Sequence, residues 1–290
     1  MMASGKDKVC AAALVLALGL GAEPAGAQEG TLLVGGQERR YLLHLPPATD
    51  RGLRLVVVLH GGGGTPGRMA EHTAFDRLAD SAGMAVVYPA AIDGLWRDGR
   101  GGETDRADLD FLSRLLDTLG TRRNLDVSRV YLTGISNGGS MAYRAACELT
   151  ERIAAIAVVA APLLATVASH CPDGKPVSVL LIHGTADRLA PFTGGRRALP
   201  VERAAAFWAT RAGCAAPGAP RRIDRIRDGT VVWHTVFPSC RAAEVELYAI
   251  QGGGHTWPGG PPVRAPRLGR TSAELDATRA ILEFFTRHQR

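Results

Sequence analysis

Residues 53–59 read LRLVVVL, an apolar run in which polar and apolar positions do not alternate. A strand with one wet face alternates, whereas a strand that is apolar along its length is covered on both faces, as in a parallel sheet between layers of helices. Runs of the same kind return at 84–88, 130–134, 153–160 and 177–182, and segments with helical spacing stand between them at 69–82, 109–119 and 136–149. This alternation predicts an α/β fold, with a mostly parallel central sheet flanked by helices. Residues 31–34 and 40–45, parted by Gly35-Gly36, predict an N-terminal hairpin. Further on, 203–211 reads as a helix, 231–237 and 245–250 as strands, and 273–288 as an amphipathic closing helix. The Pro- and Gly-bearing stretch 211–239 reads as an excursion from the sheet. Between the runs ending near 160 and beginning at 177 there is no room for a large helical cap, which predicts an open cleft.

The first residues are of a different kind. Lys6 and Lys8 precede an almost uncharged apolar run at 10–22, and Ala25-Gly26-Ala27 forms an A-x-A site before Gln28. This predicts a signal peptide over 1–27 and a single catalytic domain over 28–290, secreted or periplasmic and free of the membrane once cleaved. The apolar run is too short to span a hydrocarbon core of about 30 Å. Cleavage removes Cys10 and leaves Cys147, Cys171, Cys214 and Cys240, an even number in an oxidising compartment. Two disulfides are expected; three connectivities exist, and the sequence-local one joins Cys147 to Cys171 and Cys214 to Cys240. No C-x-x-C pair or zinc-spaced His/Cys cluster is present, so no metal is expected. The net charge of +6 comes without a basic stripe interleaved with aromatics, so no nucleic-acid partner is expected.

Gly134-Ile135-Ser136-Asn137-Gly138 matches G-x-S-x-G where an apolar run hands over to a helix. A serine on such a turn needs glycine on both sides for close backbone approach, and its hydroxyl then stands exposed above the sheet. In α/β hydrolases the partners follow as Ser, then Asp or Glu, then His. Asp187 ends His183-Gly184-Thr185-Ala186-Asp187 just past one strand, and His255 sits in Gly253-Gly254-His255-Thr256 just past another. Both lie at carboxyl ends of strands, where open α/β sheets place their sites. The rivals are placed less well: Asp173 precedes a strand, Asp224 and Asp228 lie in the irregular stretch, and His170, His234 and His288 lack a glycine-flanked loop. His183 and His60 are read as structural. After His60 come Gly61 to Gly64, and His-Gly-Gly-Gly behind an early strand is an esterase form of oxyanion loop. Gly62, together with the backbone N–H of Asn137, is expected to supply the oxyanion donors.

LHGGGG at 59–64, GISNGG at 134–139, HGTAD at 183–187 and GGGHTWPG at 252–259 together resemble the secreted polyhydroxybutyrate depolymerase and feruloyl esterase family. This is carbohydrate esterase family 1 in the wider sense, LpqC-type sequences included, and the resemblance covers essentially all of 28–290. It implies an α/β-hydrolase fold, a serine esterase with Ser136, Asp187 and His255 as triad, no cofactor, and Trp257 lining the acyl or leaving-group pocket. Trp96 is expected to offer further aromatic surface to an aryl acyl group or a sugar, against the competing reading of Trp96, Trp208 and Trp233 as packing residues of the interior. Two departures stand out: Ala107-Asp108 where many relatives carry paired aspartates, and Arg188 after HGTAD where they usually have proline. The expected partner is an ester, polymeric in the form of a polyester or a plant polysaccharide ester. A catalytically silent binding protein and a serine peptidase are the alternatives.

Overall fold

The computed structural model describes residues 26–47, 52–101, 105–123, 125–263 and 265–289. The leader expected at 1–27 falls almost wholly outside them, as does Cys10. Among the described residues ten strands form one sheet: β1 (Gly26–Val34), β2 (Gln37–Leu45), β3 (Leu53–Leu59), β4 (Met84–Pro89), β5 (Leu125–Ile135), β6 (Ala155–Val159), β7 (Ser178–Gly184), β8 (Arg221–Ile223), β9 (Val231–Phe237) and β10 (Val245–Gln251). Their order is β1-β2-β4-β3-β5-β6-β7-β10-β9-β8. The six central strands run parallel, while β1 and β2 at one edge and β9 and β8 at the other are antiparallel. Gly35 and Gly36, with φ of 57° and 79°, close the β1–β2 hairpin, since a two-residue turn of this twist needs two positive φ values.

The unbroken apolar runs are explained by the helices they meet. Leu55, Val57 and Leu59 of β3 face one core and Val56 and Val58 the other. The first core is covered by α3 (Ala107–Arg122), α4 (Asn137–Glu148) and α6 (Val201–Ala212). The second is covered by α1 (Pro66–Thr73), α2 (Phe75–Ala82) and α7 (Ala277–Thr286). The segment read from its spacing as one helix over 69–82 is two helices, broken at Ala74 in a left-handed conformation (φ 49°). Neither glycine nor proline marks the break. Tertiary contacts hold it: the Thr73 carbonyl accepts from Thr278 Oγ1 at 2.7 Å, and Phe75 turns fully inward. Between β6 and β7 the chain adds α5 (Ala165–Ser169), a five-residue helix. Among the described residues no helix is long and apolar enough to cross a membrane.

Two disulfides join Cys147 to Cys171 and Cys214 to Cys240, the sequence-local connectivity. The second pins the base of the excursion, which the structure turns into β8 and β9 at the sheet edge. The first ties the end of α4 to the segment before β7 across 24 residues. Replacing Cys147 and Cys171 together by alanine is expected to cost about 3 kcal/mol through the freed unfolded chain. That corresponds to a fall of roughly 6–12 °C in Tm. Calorimetry checks it, and an unchanged midpoint would show that the bridge adds nothing to stability.

Candidate active site

The sharp turn at Ser136 is built by close backbone contact. Ser136 has φ 57° and ψ −123°, a left-handed conformation between β5 and α4. A side chain on Gly138 would meet the carbonyl oxygens of Leu59 and His60 at 2.4 Å, and one on Gly134 would meet backbone of Gly138 at 2.7 Å. Glycine at both positions is therefore a steric requirement. Ser136 itself remains partly exposed, and its N–H donates to the Val159 carbonyl at 3.0 Å.

The glycine loop after β3 packs directly on this turn. A methyl group on Gly61 would stand 3.6 Å from Ser136 Cβ, and one on Gly62 would stand 3.9 Å from Asn137 Cβ. Of the four glycines, Gly63 donates its N–H to Gly94 O at 2.8 Å and Gly64 donates to Gly61 O at 2.9 Å. Gly62 is exposed and carries no side chain between its backbone and the cleft. Asn137 opens α4, where the first N–H groups of a helix have no intrahelical acceptor. His60, 2% exposed, shapes the loop: its Nε2 accepts from the Ala91 N–H at 3.1 Å, so the proton sits on Nδ1 and is donated to Gly61 O at 2.8 Å. Burial lowers the His60 pKa and keeps the ring neutral.

Asp187 and His255 follow neighbouring parallel strands, β7 and β10, in register from Val179–Val245 to Gly184–Ile250. Their side chains meet, with Asp187 Oδ2 2.8 Å from His255 Nδ1. The other carboxylate oxygen accepts the N–H groups of Leu189 and Ala190, both at 2.8 Å. His183, also buried, donates from Nε2 to Ala190 O at 2.7 Å and lies 3.4 Å from Asp187 Oδ2. Burial pushes the Asp187 carboxyl up, but the hydrogen bonds from His183, His255 and Ala190 outweigh it and hold the group well below the usual carboxylate range. An ionised Asp187 obliges His255 to carry its proton on Nδ1, leaving Nε2 free to accept one. The rival acids stand elsewhere: Asp173 is on the surface near Arg211, Asp224 pairs with Arg222, and Asp228 caps the turn at Thr230.

Trp257, which the resemblance gives to the acyl or leaving-group pocket, and Trp96 are both buried. Trp257 is 1% exposed; its ring meets Phe75 edge-on at 6.0 Å and its Nε1 donates to Thr278 Oγ1 at 3.0 Å. It anchors the His255 loop to α2 and α7. The indole of Trp96, 2% exposed, is likewise turned inward and donates to His60 O at 2.9 Å. The apolar residue beside the glycine loop is Leu95, half-exposed, whose Cδ2 would stand 3.0 Å from a methyl on Gly62. Leu95 to Gly101, Asp105 and Asn137 border a cavity of about 300 Å³ next to Asn137. The retained aspartate of the departing pair, Asp108, is buried and ion-paired with Arg39 at 2.5 Å. Arg188 is exposed.

A mostly parallel sheet covered by helices on both faces is the α/β-hydrolase fold, and similarity to known proteins makes the chain a carboxylic ester hydrolase. The sequence matches the family described as Esterase PHB depolymerase over residues 39–172. "Putative esterase NocK" of Nocardia uniformis subsp. tsuyamanensis is 33% identical over 278 residues, which cover 87% of this chain and 80% of that protein. Feruloyl esterase D of Neurospora crassa is 24% identical over 307 residues, covering 99% and 95%. Among solved structures, the acetyl xylan esterase from Aspergillus awamori shares the fold with a TM-score of 0.62 at 14% identity, over 89% of this chain and 99% of that one. The chain belongs to the PHB depolymerase esterase family.

Proposed function

We propose that this protein is an exported serine esterase that hydrolyses acyl esters borne by a bulky or polymeric alcohol. Feruloyl or acetyl esters of plant polysaccharide are the substrate class, with hydroxyalkanoate esters the competing one. The observation that carries the reading is the 2.8 Å contact of His255 Nδ1 with Asp187 at the sheet edge where Ser136 stands in a left-handed turn. His255 Nε2 takes the Ser136 proton as Oγ attacks the ester carbonyl carbon, and Asp187 stabilises the imidazolium. The tetrahedral oxyanion is received by the N–H groups of Asn137 and Gly62. The imidazolium returns the proton to the leaving alkoxide, the alcohol departs, and an acyl-Ser136 remains. Water, deprotonated by His255, then releases the acid. Similarity to a feruloyl esterase over nearly the whole chain favours the polysaccharide esters. Export, with cleavage after Ala27 and one catalytic domain over 28–290, is supported by the two disulfides and points to an extracellular or periplasmic site of action.

The test pairs labelling with rates. A fluorophosphonate probe is expected to modify one residue, Ser136, read by peptide mass, and methyl ferulate is expected to be cleaved faster than a soluble 3-hydroxybutyrate oligomer. Faster cleavage of the oligomer would move the substrate to polyesters. Absence of both label and turnover would leave a hydrolase-fold binding protein.

A further inference from the structure

The segment that follows β4 makes contacts the triad does not require. Asp98 is fully buried, and its Oδ2 accepts from Asn137 Nδ2 at 2.8 Å. The same amide grips the Trp96 backbone at two points: Asn137 Oδ1 accepts the Trp96 N–H at 2.8 Å, and Nδ2 donates to the Trp96 carbonyl at 3.0 Å. A carboxylate can only accept, so Asp98 fixes which way the Asn137 amide faces. The Trp96 indole then donates to the carbonyl of His60, immediately before the oxyanion glycines. A single strap from Trp96 to Asp98 thus touches both halves of the expected oxyanion hole. A bare negative charge there would oppose a developing oxyanion. Arg100 offsets it, with Nε 3.0 Å from both Asp98 oxygens and Nη2 2.6 Å from Oδ2.

We propose that Asp98 is a positioning residue for ester hydrolysis: acting through the Asn137 amide and Trp96, it sets the spacing between the Asn137 and Gly62 N–H groups that receive the oxyanion. Oxyanion donors work only within a narrow range, about 2.7–3.1 Å from the oxygen. A displacement of about 1 Å can cost on the order of 100-fold in rate. The inference rests on the serine-esterase reading above, so its test keeps the two apart.

Wild type, Asp98→Ala, Asn137→Ala, the double variant and Ser136→Ala are compared on a short-chain aryl ester, with Tm for each. Asp98→Ala is expected to lower kcat by about 10- to 100-fold with KM unchanged. Asn137→Ala should lower it by a similar factor, and the double variant should be no slower than the slower single one, because both changes remove one linkage. Inhibition by an aryl trifluoromethyl ketone, whose serine adduct carries the oxyanion, should weaken by the same factor as kcat. Losses that multiply in the double variant, a change confined to KM, or an unaltered ketone affinity would overturn the proposal while an inactive Ser136→Ala leaves the esterase reading in place. An active Ser136→Ala would overturn both. Should Asp98→Ala fail to fold, Asp98→Asn provides the second measurement. Asp98 Oδ2 accepts from Arg100 Nη2 and Asn137 Nδ2 while Oδ1 accepts from the Arg100 backbone N–H and Nε, so the NH2 group of asparagine meets a donor at either position and the linkage loosens; the same matched loss of kcat and ketone affinity is expected, and its absence overturns the proposal.

Discussion

Ser136→Ala is expected to lower kcat on any ester substrate by about 10,000-fold or more, leaving a residue of catalysis from the oxyanion donors and binding alone. The size of the loss follows from what the hydroxyl does. In the proposed mechanism no acyl-enzyme forms without Oγ, and His255 has no proton to take from the nucleophile. The fold should be indifferent to the change. Alanine keeps the Cβ that serine places at φ 57°, so the strain of the turn is carried over unaltered, and the side chain stands at the partly exposed cleft surface. A thermal midpoint equal to wild type with turnover at background is the expected pair of results on a short-chain aryl ester. Turnover equal to wild type would remove Ser136 from the chemistry and, with it, the reading of the glycine-flanked turn as a nucleophile's seat.

Much of this arrangement was legible in the sequence because it depends on features that single residues announce. Unbroken apolar runs require cover on both faces, and the six parallel strands with helices on either side are that requirement met. Gly134 and Gly138 mark a turn whose backbone contacts leave no room for Cβ, and Gly35-Gly36 marks a tight hairpin. The placement of Asp187 and His255 beyond strand ends brought them into contact, as their chain order suggested.

What was not legible lies in contacts between segments distant in sequence. Ala74 interrupts a helix although alanine is the strongest helix former, because Thr278, 205 residues away, takes the Thr73 carbonyl and Trp257 rests against Phe75. The family resemblance gives Trp257 to the acyl or leaving-group pocket, and nothing in the sequence announces its burial. Two residues beyond the histidine the chain has already turned, and the indole faces the core. Asp98 gave no signal at all: one acid in a loop of arginines and glycines becomes significant when Asn137 is seen to reach it across 39 residues.

Asp187→Asn is expected to reduce kcat by about 10,000-fold at neutral pH with little change in KM. The carboxylate has four acceptor contacts to serve: two backbone N–H groups on Oδ1, and His255 with the more distant His183 on Oδ2. Asparagine has one oxygen. With Leu189 and Ala190 holding it, the NH2 group faces His255 Nδ1, and two donors cannot share a hydrogen bond. His255 then moves its proton to Nε2 and presents to Ser136 a donor where an acceptor is needed. The same substitution carries a signature in stability. Because the folded-state pKa of Asp187 is depressed, its ionisation contributes stability that is present in full above the unfolded-state value of about 3.9 and is lost as pH falls through that value toward the folded one. Urea unfolding at pH 7, 4 and 3 should therefore show wild type more stable than Asp187→Asn by a constant margin near neutrality, with the margin shrinking below about pH 4. A margin that stayed constant into acid would mean that the carboxylate is not held ionised by its partners. The tautomer argument for the lost activity would then fail with it.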